Sequence, residues 1–169
     1  WYLADLGART ALVEPTYFDR DYLSEFAAFY CLSASGYPNR CARVHYFSKV
    51  VTRAEFELAA SGDSQVTAAL QEAYLGFFVR RPIGGAPFGR TVMRWYPDKA
   101  TNLPRVVEPS RDYVSTVAGV RLAVRGIAWQ QQDTGVGACA TVALWSMLQS
   151  SAYDDRHVIP TTAEITSIA

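Results

Sequence analysis

The chain has 169 residues, half of them apolar, and its 16 basic and 16 acidic residues cancel. A chain of this length buries a core without disulfide or metal staples, and balanced charge gives no long-range attraction to nucleic acid or to an anionic membrane surface. No apolar run approaches the ~18 residues of a membrane span, the start WYLADLGART lacks the features of a signal peptide, and three widely spaced cysteines favour a reducing compartment, so a cytoplasmic location is expected.

Residues 11–18, ALVEPTYF, have strand composition interrupted by Pro15, and after Asp19 the run DYLSEFAAFYCL places Tyr22, Phe26, Phe29 and Tyr30 at helical spacing. SASGYPNR is turn chemistry. CARVHYFSKVV follows as a strand with Cys41, Arg43 and His45 on one face and Val44, Tyr46 and Ser48 on the other. Residues 52–73 favour helix with a break at Ser61, Gly62 and Asp63. YLGFFVRR and RTVMRWY then read as two strands of a hairpin across the turn GGAPFG. Two or three short β-type runs follow, in RVVEPS, DYVSTVA and VRLAVRG. Near Gly126 the β-rich sequence gives way to glutamines, a glycine turn and an apolar helix from Ala138 to Leu148, which has only Thr141 and Ser146 as polar residues and is expected to be buried. Thr161 and Glu164 have capping-box spacing, with Pro160 just outside, and start a last helix that runs to Ala169. Because the chain opens on Trp1 and that helix has no stop signal, the protein is expected to continue beyond Ala169. The reading is an α+β chain: a mixed α/β region over 1–125 with antiparallel hairpins, then a second unit over 126–169.

Two motifs point to chemistry that their context denies. Gly84 to Thr91 has the spacing of a phosphate loop with Arg90 in the lysine position, but the residues after it, VMRWYP, favour a strand, and a phosphate loop must open a helix. Cys31, Cys41, His45 and Cys139 lack the close C-x2-4-C pairs of a zinc site. No metal and no cofactor is expected. Arg80, Arg81 and Arg90 flank the turn, where their planar forks suit an anion or a partner's carboxylates, and the expectation set against that is solvated hairpin arginines.

Cys139 stands at the head of the apolar helix. A helix N-terminus offers unsatisfied amides and positive potential that favour a thiolate, and first-turn amides help to hold an oxyanion. Gln130, Gln131 and Gln132 lie just upstream and offer a side-chain donor for the same charge. Unpaired cysteine is also among the most buried residue types, so position alone leaves two readings open, a nucleophile and an inert core residue.

The run from Gln130 to Leu148, QQQDTGVGACATVALWSML, resembles the nucleophile region of papain-like cysteine peptidases, in particular the bacterial branch that includes the bacteriocin-leader peptidases. The resemblance covers roughly Trp129 to Ala169. It implies the start of a papain-like domain, with Cys139 as nucleophile on its central helix and an upstream glutamine in the oxyanion hole. Gln132 most nearly takes that place and Gln131 is the fallback, because the family's usual position, six residues before the cysteine, is held by Asp133. It implies thiol-dependent cleavage or transfer of a peptide or isopeptide acyl group, a protein or peptide substrate, and a general-base histidine later in the chain. The histidines present are His45 and His157. His45 precedes the cysteine, against the family order. His157 lies past the far end of a helix about 20 Å long, so the base is expected beyond Ala169 and these residues alone are expected to be inactive. The competing reading is a non-catalytic interaction module on a peptidase-like scaffold, with a protein partner recognised through the N-terminal region. The stretch YLGFFVRRPIGGAPFGRT looks like one that precedes peptidase-like segments in bacterial proteins, and that likeness assigns no site.

Overall fold

In the computed structural model of the protein, residues 2–34, 36–96, 103, 107–132, 139–152 and 158–168 are described. In chain order the elements are α1 (Tyr2–Asp5), β1 (Thr10–Tyr17), α2 (Arg20–Glu25) running on as a π-helical turn over Phe26–Tyr30, β2 (Cys41–Phe47), α3 (Arg53–Ala60), α4 (Ser64–Ala73), β3 (Tyr74–Arg80), β4 (Phe88–Met93), β5 (Arg111–Val117), β6 (Val120–Gly126), α5 (Cys139–Ser151) and α6 (Thr162–Ile168). The architecture is α+β: an antiparallel four-stranded sheet in the order β1-β2-β3-β4, and a separate two-stranded hairpin of β5 and β6. Among the described residues no helix is long and apolar enough to cross a membrane.

Local chemistry explains most of these boundaries. Proline cannot donate to a ladder, and Pro15 sits at the irregularity between Glu14 and Tyr17 on the edge strand β1, where that loss is tolerated. Asp19 caps α2 by accepting from the Tyr22 amide at 3.1 Å, and Tyr22 and Tyr30 turn into the core while Phe29 stays partly exposed. The expected break at residues 61–63 separates α3 from α4. Thr52 and Glu55 form a capping box at the head of α3, and the Asp63 carboxylate accepts from the Gln65 and Val66 amides at the head of α4.

The turn after β3 leads into strand β4, so the phosphate-loop spacing of residues 84–91 belongs to a hairpin. Inside that hairpin Gly76 adopts φ +126°, and a Cβ there would meet the Val92 carbonyl oxygen at 2.1 Å. Only glycine allows the two strands to approach this closely. The runs DYVSTVA and VRLAVRG pair with each other in unbroken register, joined by Ala118 and Gly119, which both have positive φ. A two-residue turn of that hand matches the strand twist.

The four-stranded sheet turns Phe47, Tyr74, Phe77, Val79 and Val92 toward β6 and the helices, where they meet Leu122, Val124, Trp145 and Ile165 in one continuous cluster. That core draws on residues both before and after position 126. Within it His45 is wholly buried. Its Nε2 lies 2.9 Å from Glu14 Oε2 and its Nδ1 lies 2.9 Å from the Tyr74 hydroxyl, which is in turn 2.9 Å from Ser115 Oγ. Arg43 donates from Nε to the same Glu14 oxygen at 2.5 Å and from its terminal nitrogen to the Thr116 carbonyl at 2.6 Å. The chain of contacts sews β1, β2 and β3 to the hairpin strand β5.

Candidate functional site

The site begins at the free edge of β4. Trp129 and Thr91 exchange backbone hydrogen bonds, at 3.0 and 2.8 Å, and the Gln131 amide donates to the Phe88 carbonyl at 2.7 Å. The three glutamines therefore follow a short extended segment laid against the sheet, and they end up in three different environments.

Gln130 is buried and donates to Glu25 Oε1 at 3.1 Å. Glu25 also accepts from Thr162 Oγ1 at 2.6 Å and, on its other oxygen, from Arg81 at 2.9 Å. Arg81 is 3 % exposed, and it further donates to the Ala86 carbonyl at 3.0 Å and the Gln131 carbonyl at 2.7 Å. A paired carboxylate and guanidinium with most of their hydrogen-bonding capacity used hold together under burial; unpaired, neither does. One buried cluster thus locks α2, α6, the β3–β4 connection and the glutamine segment to each other. The expectation that Arg81 and Arg90 are solvated is overturned: Arg81 is enclosed, and Arg90 pairs with Asp19 at 3.3 Å and Asp21 at 3.1 Å. Both lie where the turn end of the hairpin folds against α2, a tertiary contact that no local pattern marks. Arg80 is exposed.

Gln131 is committed to the same hairpin. Its side-chain oxygen accepts from the Phe88 amide at 3.3 Å and its nitrogen donates to the Gly85 carbonyl at 3.0 Å. Gln132 alone reaches the thiol: its Nε2 lies 2.6 Å from Cys139 Sγ, and both residues are exposed. Of the two glutamines named from the sequence, the structure brings Gln132 to the cysteine and holds Gln131 away from it. The glycine turn and Asp133 lie outside the described residues.

Cys139 is the first residue of α5, and α5 is held from below. Trp145 is wholly buried, the Gln149 carbonyl accepts from Arg111 Nε at 2.8 Å and from the Tyr113 hydroxyl at 3.3 Å, and Thr166 of α6 reaches Thr141 at 3.3 Å. The capping box expected at Thr161 is present: its amide donates to Glu164 Oε2 at 2.7 Å, and the Glu164 amide donates to Thr161 Oγ1 at 3.2 Å. The expectation that the cysteine helix is buried all round is overturned. Only Trp145, Gln149 and Ser150 are buried along it, while Leu144 and Met147 are 44 % and 69 % exposed. The helix packs on α6 and meets β5 through the Gln149 carbonyl, and Cys139 in its first turn is exposed.

The three cysteines occupy different environments. Cys41 is buried, and burial pushes its thiol up to about 12. Cys31 is exposed and its thiol donates to the Ala27 carbonyl at 3.2 Å. Among the described residues Cys139 is the one of the three whose sulfur meets a side-chain amide. Among the described residues no group of three His, Cys, Asp or Glu side chains is placed to hold a metal ion. His45 does not serve Cys139, since both its ring nitrogens are engaged inside the sheet. Burial lowers its pKa despite the hydrogen bond to Glu14, so the ring is neutral at pH 7. His157 lies outside the described residues. Comparison with protein-family models, curated proteins and solved structures finds no match.

Proposed function

We propose that the protein is the nucleophile-bearing part of a thiol-dependent acyl hydrolase or transferase of the papain-like type, acting on a peptide or isopeptide bond. The supporting observation is the contact between the Gln132 amide and Cys139 Sγ, on an exposed thiol at the head of a thirteen-residue helix. In this reading the Cys139 thiolate adds to the substrate carbonyl. The C–S bond forms as the carbonyl π pair moves to oxygen, and the oxyanion so formed lies close to the sulfur, within reach of the Gln132 amide and the first backbone N–H groups of α5. Collapse of the tetrahedral species expels the amine, which takes a proton, and leaves a thioester for water or a second amine to attack.

Gln132 is the positioning donor, and the buried Glu25–Arg81–Gln130 cluster keeps its segment in place. The base that the reaction requires is a histidine outside the described residues. Residues 1–125 supply the sheet edge on which the glutamine segment is laid, which gives the N-terminal region a part in the site whatever else it recognises.

The test is competitive alkylation of the folded protein with iodoacetamide, followed by mapping of the adducts. Cys139 is expected to label at least about tenfold faster than exposed Cys31 at pH 7, as an activated thiolate does, and Cys41 to resist until the protein unfolds. Equal rates at Cys139 and Cys31 would sink the proposal, because solvent access alone then accounts for the labelling.

A further inference from the structure

The four-stranded sheet has one face on the core, and its other face is apolar as well. Phe47, Phe77 and Val92 join the core, so their chain neighbours Tyr46, Phe78 and Thr91 stand on the opposite face. An antiparallel sheet that turns one face to water ordinarily carries polar side chains there. Here it carries a row of rings. Tyr46 lies on Phe78 with centroids 6.1 Å apart, Phe78 on Phe88 at 5.2 Å, and Phe88 on Trp129 at 6.3 Å.

This row lines a cavity of about 310 Å³, to which Tyr2 and Leu3 of α1 also contribute. Tyr2 is anchored there: its hydroxyl donates to the Arg94 carbonyl at 2.6 Å, and its ring meets Tyr96 edge to face at 5.1 Å. None of the described lining residues is charged. The Thr91 hydroxyl donates to the Gly89 carbonyl at 3.0 Å, so it and the Tyr2 hydroxyl both have partners within the protein.

Size, charge and ring content together select the occupant. The volume stands at the lower end of the range for small-molecule sites, whereas a stable protein interface takes about 800 Å² from each partner, far more than the mouth of one such cavity offers. An ionised ligand entering it would give up water without meeting an opposite charge. Rings gain from offset or edge-to-face contact with other rings beyond the area they bury, so an aromatic ligand is favoured over an aliphatic one of equal size. The rings also brace one another, which leaves little of the wall to be ordered on binding.

We propose that this cavity binds a small neutral aromatic molecule, a single ring with short substituents, seated against Phe78, Phe88 and Trp129. The inference is independent of the chemistry of Cys139, and its test reads binding alone.

The experiment is isothermal titration of the whole chain with p-cresol, with its saturated analogue 4-methylcyclohexanol, and with tetramethylammonium, a cation that aromatic faces also attract. p-Cresol is expected to give saturable heat and to bind about fivefold or more tighter than 4-methylcyclohexanol, which has the same skeleton without the π system. Tetramethylammonium is expected to bind more weakly than either. Phe88→Ala and Trp129→Leu, on side chains 41 % and 45 % exposed, are each expected to weaken p-cresol by about fivefold or more. Phe29→Ala, which removes a part-exposed ring outside the cavity lining, is expected to leave p-cresol binding unchanged. No saturable heat from p-cresol, equal affinity for the saturated analogue, tighter binding of tetramethylammonium, affinity that survives both cavity substitutions, or an equal loss in Phe29→Ala would each overturn the proposal.

Discussion

His45 and Cys139 are the two residues whose chemistry most invites a catalytic role, and the molecule treats them in opposite ways. His45 is wholly enclosed, with Glu14 on one ring nitrogen and Tyr74 on the other. An ionised Glu14 can only accept, so Nε2 carries the ring proton and Nδ1 accepts from the Tyr74 hydroxyl, to which Ser115 then donates. Each group in the row is used, which makes it a scaffold. Cys139 is exposed, touched by one side-chain amide among the described residues, and stands at a helix end, where the first backbone N–H groups have no partner within the helix. The difference teaches that a reactive residue type marks a site only where access and uncommitted donors accompany it. The Glu25–Arg81 cluster stands between the two cases, enclosed like the first but adjoining the second through Gln131.

The contrast can be broken most severely at that junction. Arg81→Ala leaves Glu25 buried without its cation and is expected to cost about 3–5 kcal/mol, read as a fall in the urea midpoint. A loss under about 1 kcal/mol, the scale of an exposed pair, would show that the cluster does not hold the segment. Next in size, under the proposed function Gln132→Ala is expected to lower kcat by about 100- to 1000-fold with little change in folding, because its side chain is exposed. The same substitution at Gln131 is expected to act through stability, since among the described residues that side chain bonds to the hairpin turn. Equal effects of both on kcat at unchanged stability would erase the distinction drawn between them.

The scaffold role of His45 predicts a pH dependence with a definite sign. Burial lowers its pKa below 6.5, so as pH falls the unfolded chain takes the proton first, and stability that is complete above 6.5 declines below it. Glu14 adds to the loss further down. Burial raises its pKa, but the hydrogen bonds from Arg43 and His45 outweigh that and hold it below 4.5, so its contribution is present above 4.5 and is lost as the pH falls through the lowered value. Urea titrations from pH 7 to 5 are expected to show a slope of at most about 1.4 kcal/mol per pH unit from His45, and His45→Gln to flatten it. A slope unchanged in that variant would mean that His45 does not titrate on unfolding. The smallest effect is expected at the hairpin turn. Ala118 holds φ +45°, so Ala118→Gly is expected to raise stability by about 1 kcal/mol; a loss would mean that the turn does not need the left-handed conformation.

Much of the local structure was legible in the residues themselves. Asp19, Thr52, Asp63 and Thr161 announce helix starts because a short polar side chain satisfies amides only a few residues away. The Ser61-Gly62-Asp63 break and the strand that follows Gly89 are likewise decisions made within one window of chain. The cysteine at a helix head with an upstream glutamine was legible for the same reason, since both belong to one stretch of nineteen residues. What that stretch leaves open is which glutamine does what. Gln130, Gln131 and Gln132 are identical by type, and only the placement of Glu25, Phe88 and Gly85, which lie from 43 to 105 positions away in the chain, assigns them to three environments.

The same limit explains the two corrections. Arg81 and Arg90 carry the local signature of exposed hairpin arginines, and they are paired instead because α2 brings Glu25, Asp19 and Asp21 against the hairpin. The α5 helix carries the composition of a core helix, yet Leu144 and Met147 are exposed because its tertiary neighbours cover only part of its surface. Sequence alone determined the elements, their caps and the residue types that carry chemistry, since these depend on neighbours along the chain. Tertiary structure alone decided burial, pairing and which amide meets the thiol, because those energies arise between segments whose separation in sequence says nothing of their distance in space.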